Sequence, residues 1–113
     1  MNEIAYPKPT VTRNQKRHRL APAADEGFHA FSKAVFADGA LDRRTKELIA
    51  VAVAHVTQCP WCIEGHTRGA VRAGATPEQV MEAIWVAAEM RAGAAFTHSA
   101  LALDLLDDGN AED

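Results

Sequence analysis

The chain has 113 residues, a formal net charge of −3 and 48% hydrophobic residues, enough to bury the core of one domain. No apolar run reaches the length of about 18 residues that a membrane span needs, and the charged N-terminus is not followed by the apolar segment of a secretory signal. We therefore expect a cytoplasmic protein with no membrane partner. In a reducing compartment, two cysteines are more often catalytic or metal-binding than a structural cross-link.

Residues 1–22 are expected to form an extended or mobile arm, because they lack a sustained hydrophobic period and contain three prolines. The first 20 residues include five Lys or Arg side chains, and a basic arm can bind nucleic acid. This arm has no interleaved aromatic residues beyond Tyr6, so we expect no nucleic-acid partner and favour a solvated tail or an arm packed on a neighbouring subunit. Residues 23–113 are then the helical domain.

Two helices are predicted in the part of the chain that follows the arm. Apolar residues spaced as on one helix face predict a helix over residues 25–36, closed by a turn over residues 37–40. Asp42 suits the N-cap of a second helix that ends near Thr57. The segment of this helix from 48 to 54 is apolar on every face, so we expect the helix to be buried.

Further helix boundaries are marked by proline, glycine and capping residues. Pro60 suits the first position of a helix over residues 60–73, and Gly74 suits the position after its end. The segment Thr76-Pro77-Glu78-Gln79 combines an N-cap, a proline at the first helical position and a capping box. The helix that it starts is expected to reach about residue 90.

A break near Gly93 is expected to separate that helix from a last one, which ends near Leu106. No segment shows the alternating pattern of a strand, so the predicted fold is all-α, a compact bundle of about five helices. Two of these helices are apolar over most of their circumference, which is more than a chain of this length can easily cover. We therefore expect a homo-oligomer that assembles through apolar helix faces.

The residues with the most chemistry lie around the two cysteines. Cys59 precedes Pro60, so Cys62 falls in the first turn of a predicted helix, where unpaired N–H groups and the helix dipole stabilise a thiolate. His66 lies one turn further along the same face, within reach of the Cys62 sulfur directly or through a water molecule. Glu47, on the preceding buried helix, needs a polar partner. These residues predict thiol redox chemistry.

Metal binding is the main chemical alternative. His55, Cys59, Cys62 and His66 make a set of two cysteines and two histidines, but the histidines flank the cysteines on opposite sides, unlike the usual zinc-finger spacing. We expect neither a metal nor an organic cofactor. His55 is more simply a buried histidine with a satisfied hydrogen bond, and His98 lies on an alanine-rich helix. Both are kept as candidate supporting residues of the site.

The spacing from Glu47 to His66 is more specific than the cysteine pair alone: Glu, eleven residues, Cys, two residues, Cys, three residues, His. With this spacing the chain resembles the alkylhydroperoxidase D-like family, within the carboxymuconolactone decarboxylase superfamily. The resemblance continues through Gly65-His66-Thr-Arg68 and Ala73-Gly74-Ala-Thr-Pro-Glu78 and covers about residues 25–106. It implies an all-helical domain that assembles as a homotrimer or homohexamer.

The resemblance also implies a role for each residue of the motif. Cys62 is the buried attacking thiol, Cys59 is the more exposed resolving thiol, and Glu47 with His66 forms the proton relay. Trp61 departs from the family pattern, because the best-studied relatives carry a histidine of the relay at this position.

The implied function is that of a thiol-dependent peroxidase or disulfide oxidoreductase, which reduces hydroperoxides or a partner disulfide. A dithiol reductant or a redox partner protein restores its thiols. The alternative is a redox sensor or interaction subunit that keeps the same fold without peroxidase activity. Decarboxylation of a muconolactone is not expected, because members of the superfamily with that activity lack the cysteine pair.

Overall fold

The fold is all-α, as the sequence predicts. The computed structural model describes residues 6–108, which contain no strand. Within this range there are five helices, α1 (Val11–Leu20), α2 (Pro22–Phe36), α3 (Arg43–Thr57), α4 (Pro60–Arg72) and α5 (Pro77–Asp108). The chain divides into two compact units between Lys46 and Glu47, inside α3. None of the helices in the described range is long and apolar enough to cross a membrane.

Helix α1 lies where the sequence predicts an extended arm, so that prediction is wrong for residues 11–20; residues 1–5 of the arm lie outside the described range. The Thr10 hydroxyl caps α1 by accepting a hydrogen bond from the Arg13 N–H at 3.1 Å. His18 Nδ1 then lies 3.0 Å from Oδ2 of Asp25 on α2. No residue of α1 is buried, so hydrophobic periodicity could not indicate a helix that is held by capping and polar contacts.

The connection between α2 and α3 is fixed by two charged side chains. Asp42 Oδ1 accepts a hydrogen bond from the Thr45 N–H at 2.8 Å, which confirms the predicted N-cap. This backbone hydrogen bond, followed by the one from the Thr45 side chain, holds the pKa of Asp42 below its usual value. Lys46 Nζ donates to the carbonyls of Val35 at 2.8 Å and Ala37 at 2.6 Å, which the end of α2 leaves without helical partners.

The end of α4 and the start of α5 also follow the predicted capping. Gly74 has φ +99°, in the left-handed region that favours glycine. The Ala75 N–H donates to the Ala70 carbonyl at 2.9 Å, the long hydrogen bond of a Schellman motif. Thr76 and Gln79 then exchange the two hydrogen bonds of a capping box, at 3.0 and 3.1 Å.

Helix α5 continues without interruption from Pro77 to Asp108, so the predicted break near Gly93 and the separate last helix are wrong. A single glycine costs a helix only about 1 kcal/mol relative to alanine. The alanines on both sides of Gly93 favour the helix, and their summed propensity outweighs that cost.

The second unit has a small core, and many of its apolar side chains are exposed in the single chain. Ile49 and Val53 of α3 are 47% and 52% exposed, so the predicted burial of α3 on every face is wrong for one copy of the chain. Self-association stays a prediction, which this exposed surface supports. The core consists of Val51, Ala70, Ala75 and Val80, with Leu48 and Ile84 packed against it.

Candidate active site

The turn at the end of α3 fixes the position of Cys59. Gln58 has φ 62°, a left-handed conformation that costs a residue with a Cβ about 1 to 2 kcal/mol. The Cys59 N–H donates to the Ala54 carbonyl at 3.2 Å, the long hydrogen bond of a Schellman-type turn, here around a left-handed residue other than glycine. The Gln58 side chain supports the turn, because Nε2 donates to the His55 carbonyl at 3.3 Å. No glycine marks this turn, so the sequence does not indicate it.

Arg91 of α5 supports the same turn. Its Nη1 donates to the Val56 carbonyl at 2.7 Å, one of the last carbonyls of α3 and therefore one without a partner in its own helix. A guanidinium is also favourable at the negative end of a helix dipole. The contact joins residues 35 positions apart, so no local sequence signal could reveal it.

Cys59 is both the residue that completes this turn and the N-cap of α4. Its Sγ accepts a hydrogen bond from the Cys62 N–H at 3.3 Å, and Pro60 lies at the helix start as predicted. Cys59 and Cys62 form a disulfide with their Cα atoms 5.3 Å apart. Both are half-buried in the single chain, so the expected difference between a buried Cys62 and a more exposed Cys59 stays a prediction. After reduction, the first-turn position of Cys62 favours the thiolate.

Glu47 and His66 form a hydrogen-bonded pair between α3 and α4. Glu47 is only 3% exposed, and its Oε1 lies 2.8 Å from Nδ1 of His66. With Glu47 ionised, its carboxylate only accepts hydrogen bonds, so Nδ1–H of His66 donates and a neutral ring carries its lone pair on Nε2. His66 also follows Cys62 by one helical turn. The pair can therefore present an oriented base on the face of α4 that carries Cys62.

The candidate supporting histidines make hydrogen bonds within their own helices. His55 Nδ1 lies 2.7 Å from the Val51 carbonyl oxygen. His98 Nδ1 lies 2.7 Å from the Ala94 carbonyl oxygen. These contacts satisfy one nitrogen of each ring without involving the cysteines, and a supporting role for either residue stays a prediction.

Trp61 lies between the two cysteines and is 45% exposed. An indole donates one hydrogen bond and accepts none, so Trp61 cannot replace the relay histidine of the relatives that the sequence resembles.

Throughout residues 6–108, no group of three or more His, Cys, Asp or Glu side chains is arranged to hold a metal ion.

Comparison with known proteins gives matches over most of the chain. The model of the "Carboxymuconolactone decarboxylase family" matches residues 22–105. A protein of Paracoccus denitrificans named "Uncharacterized protein 4 in cox locus" is 63% identical over 108 residues, which are 96% of this chain and 96% of that protein. An uncharacterized protein of Cupriavidus necator is 40% identical over 90 residues, 80% of each chain.

Solved structures show the same fold. A carboxymuconolactone decarboxylase family protein from Legionella pneumophila, determined in its apo form, is 37% identical with a TM-score of 0.68 over 86% of this chain and 87% of that chain. A protein of the same family from Thermotoga maritima, for which involvement in the antioxidative response is suggested, is 28% identical. Its TM-score is 0.59, over 80% of this chain and 93% of that chain.

Proposed function

We propose that this chain, which belongs to the carboxymuconolactone decarboxylase family, is a thiol-dependent peroxidase or disulfide oxidoreductase of the alkylhydroperoxidase D type. The observation that carries the proposal is the disulfide between Cys59 and Cys62 at the start of α4, one turn before a histidine that is bonded to a buried glutamate. A cross-link between two structural elements would need neither the helix N-terminus nor the buried acid.

The first half of the cycle reduces the disulfide. One thiolate of a dithiol reductant, either a small molecule or a redox partner protein, attacks a sulfur of the pair and forms a mixed disulfide. The second thiol of the reductant resolves it. The reductant loses two electrons and becomes a disulfide, and Cys59 and Cys62 become thiols.

The second half consumes the peroxide. The Cys62 thiolate attacks a hydroperoxide oxygen, so that an S–O bond forms and the O–O bond breaks. The departing oxygen takes up a proton and leaves as the alcohol. The Cys59 thiol then attacks the resulting sulfenic acid, water leaves, and the disulfide is restored. One hydroperoxide and one dithiol give one alcohol, one water molecule and one disulfide.

His66 and Glu47 manage the protons in this scheme. Nε2 of His66 takes the thiol proton of Cys62 and returns it to the departing oxygen, while Glu47 holds the ring through Nδ1 and stabilises its protonated form. A positioned acid–base group of this kind contributes roughly 10²- to 10⁴-fold to the rate.

We also propose that the protein acts in the cytoplasm as a homotrimer or homohexamer. Exposed apolar side chains along α5, among them Trp85, Met90 and Phe96, support self-association because they are 67%, 62% and 78% exposed.

Stopped-flow oxidation of the reduced protein by a panel of hydroperoxides, with mass spectrometry of the cysteines, tests the function. We expect rapid formation of the disulfide through a sulfenic acid at Cys62. A reduced protein that reacts with every peroxide no faster than a free thiol would contradict peroxidase activity. A disulfide that dithiols still reduce readily would then favour the redox sensor or interaction subunit.

A further inference from the structure

We infer that Gly69 is a positioning residue of this site, an inference that rests on the proposed function. Gly69 is buried on α4, beside the carboxylate of Glu47. A Cβ at position 69 would lie 2.8 Å from Cδ, 2.8 Å from Oε1 and 2.9 Å from Oε2 of Glu47. Real Cβ atoms essentially never approach other heavy atoms this closely. The carboxylate therefore occupies the space that any side chain at position 69 would need.

The same carboxylate holds His66, because Oε1 is the atom 2.8 Å from Nδ1. A methyl group at position 69 would push all three carboxylate atoms away from α4, the helix that carries His66. The carboxylate is the end of a flexible side chain, so it moves before the backbone does. Burial of Glu47, at 3% exposure, leaves it few alternative positions. We therefore expect loss of the hydrogen bond to His66 and of the ring orientation that depends on it.

Gly65 provides a matched control on the same helix. It lies four residues before Gly69, and a Cβ built on it meets no atom within 4 Å. Replacement by alanine raises helix propensity equally at both positions. Any difference between Gly69→Ala and Gly65→Ala then reports the contact with Glu47 and not the general effect of alanine in a helix.

The experiment compares wild type, Gly69→Ala and Gly65→Ala by two readouts. Long-range ¹H–¹⁵N NMR identifies which nitrogen of neutral His66 carries the proton, and stopped-flow measures thiol oxidation by peroxide near pH 7. In wild type and Gly65→Ala we expect the Nδ1–H tautomer and equal rates. In Gly69→Ala we expect loss of this tautomer preference and a rate lower by about 10²-fold, a loss that a misplacement of about 1 Å can cause. Retention of either the tautomer or the rate in Gly69→Ala overturns the inference.

A Glu47→Ala background completes the test. In that background Gly69→Ala should slow the reaction no further, because the carboxylate that it displaces is absent, and an additional loss of the same size overturns the inference. If Gly69→Ala alone does not fold, the variant that also carries Glu47→Ala should fold, because the clashing carboxylate is gone; a double variant that stays unfolded overturns it. A wild-type protein inert to peroxide contradicts the proposed function, while the NMR comparison still decides whether Gly69 positions the pair.

Discussion

Two helix ends in this protein use the same backbone motif with different residues. The left-handed residue that follows α4 is Gly74, with φ +99°, and the left-handed residue that follows α3 is Gln58, with φ 62°. In both turns an amide donates to the carbonyl five residues earlier, at 2.9 Å after α4 and 3.2 Å after α3. Only the turn that leads to the disulfide places a residue with a Cβ in the left-handed region.

We call the turn after α4 the structural turn, and the turn after α3, which leads to the candidate site, the chemical turn. The turn after α4 leads to the capping box of α5 and has the residue that costs the backbone least. The turn after α3 leads directly to Cys59 and depends on side-chain hydrogen bonds from Gln58 and Arg91. Strained backbone that persists under external support is typical of functional sites.

The largest expected effect comes from removal of a sulfur at the chemical turn. Cys62→Ser should abolish peroxide consumption, and Cys59→Ser should let a sulfenic acid persist at Cys62, because only the resolving thiol is then missing. Thr76→Ala, at the N-cap of α5 after the structural turn, should cost about 1 kcal/mol of stability and leave the rate unchanged. Sulfenic-acid trapping with mass spectrometry is the measurement. Labelling of Cys59 in Cys62→Ser at the wild-type rate would reverse the two roles.

The second largest expected effect is on the rate of thiol oxidation and comes from Glu47, which is hydrogen-bonded to His66. Glu47→Gln keeps the shape and hydrogen-bonding capacity of the side chain but cannot stabilise a charged His66, so thiol oxidation near pH 7 should slow by roughly 10²- to 10⁴-fold. Partial recovery is expected at high pH, where solvent hydroxide takes the thiol proton of Cys62 instead. Rate profiles of both proteins against pH measure this. A folded variant with the wild-type rate would leave Glu47 with a structural role only.

A reciprocal exchange tests the backbone difference itself. Gly74→Ala should destabilise the protein by about 1 to 2 kcal/mol, the cost of a Cβ in the left-handed region. Gln58→Gly should change stability in the opposite direction and by less, roughly 0 to 1 kcal/mol, because glycine loses more backbone entropy on folding. Urea unfolding of both reduced variants measures the two values. Equal destabilisation by the two changes would show that Gln58 is not strained.

The smallest expected effect is on the pH dependence of stability and comes from Asp42, the N-cap of α3. The pKa of Asp42 lies below its ordinary value in the folded protein, chiefly because its carboxylate accepts a hydrogen bond from the Thr45 N–H. A lowered folded pKa stabilises the protein above the unfolded pKa, and this contribution is lost as pH falls through the folded value. The stability advantage of wild type over Asp42→Asn should therefore shrink between about pH 6 and about pH 3. An advantage that stays constant over this range would contradict the assignment.

Helix boundaries could be predicted wherever local chemistry sets them. Asp42, Pro60 and Thr76 mark helix starts, and Gly74 marks an end, because the cap residue and the backbone group it serves are close in sequence. Hydrophobic periodicity does not predict helix α1, because none of its residues is buried. The break near Gly93 was wrongly predicted because one glycine cannot end a helix whose neighbouring residues favour it.

The candidate site also has features that the sequence predicts and features that depend on helix packing. The resemblance to the family selects Glu47, Cys59, Cys62 and His66 as candidates, and only Cys62 and His66 share a helix face because they lie one turn apart. The 2.8 Å contact of Glu47 with His66 depends on how α3 packs against α4, which the spacing does not specify. No motif indicates Gly69, because its proposed contribution is the space that its missing side chain leaves for the Glu47 carboxylate.

The hydrogen bond from Arg91 to the Val56 carbonyl has a consequence for the order of folding. It joins positions 35 residues apart, so a ribosome makes both cysteines before it makes the residue that supports the turn in front of them. Closing such a contact costs chain entropy and requires α5 to be in place. The turn before Cys59 therefore gains its support from Arg91 late, after α5 has been synthesised and packed against the end of α3.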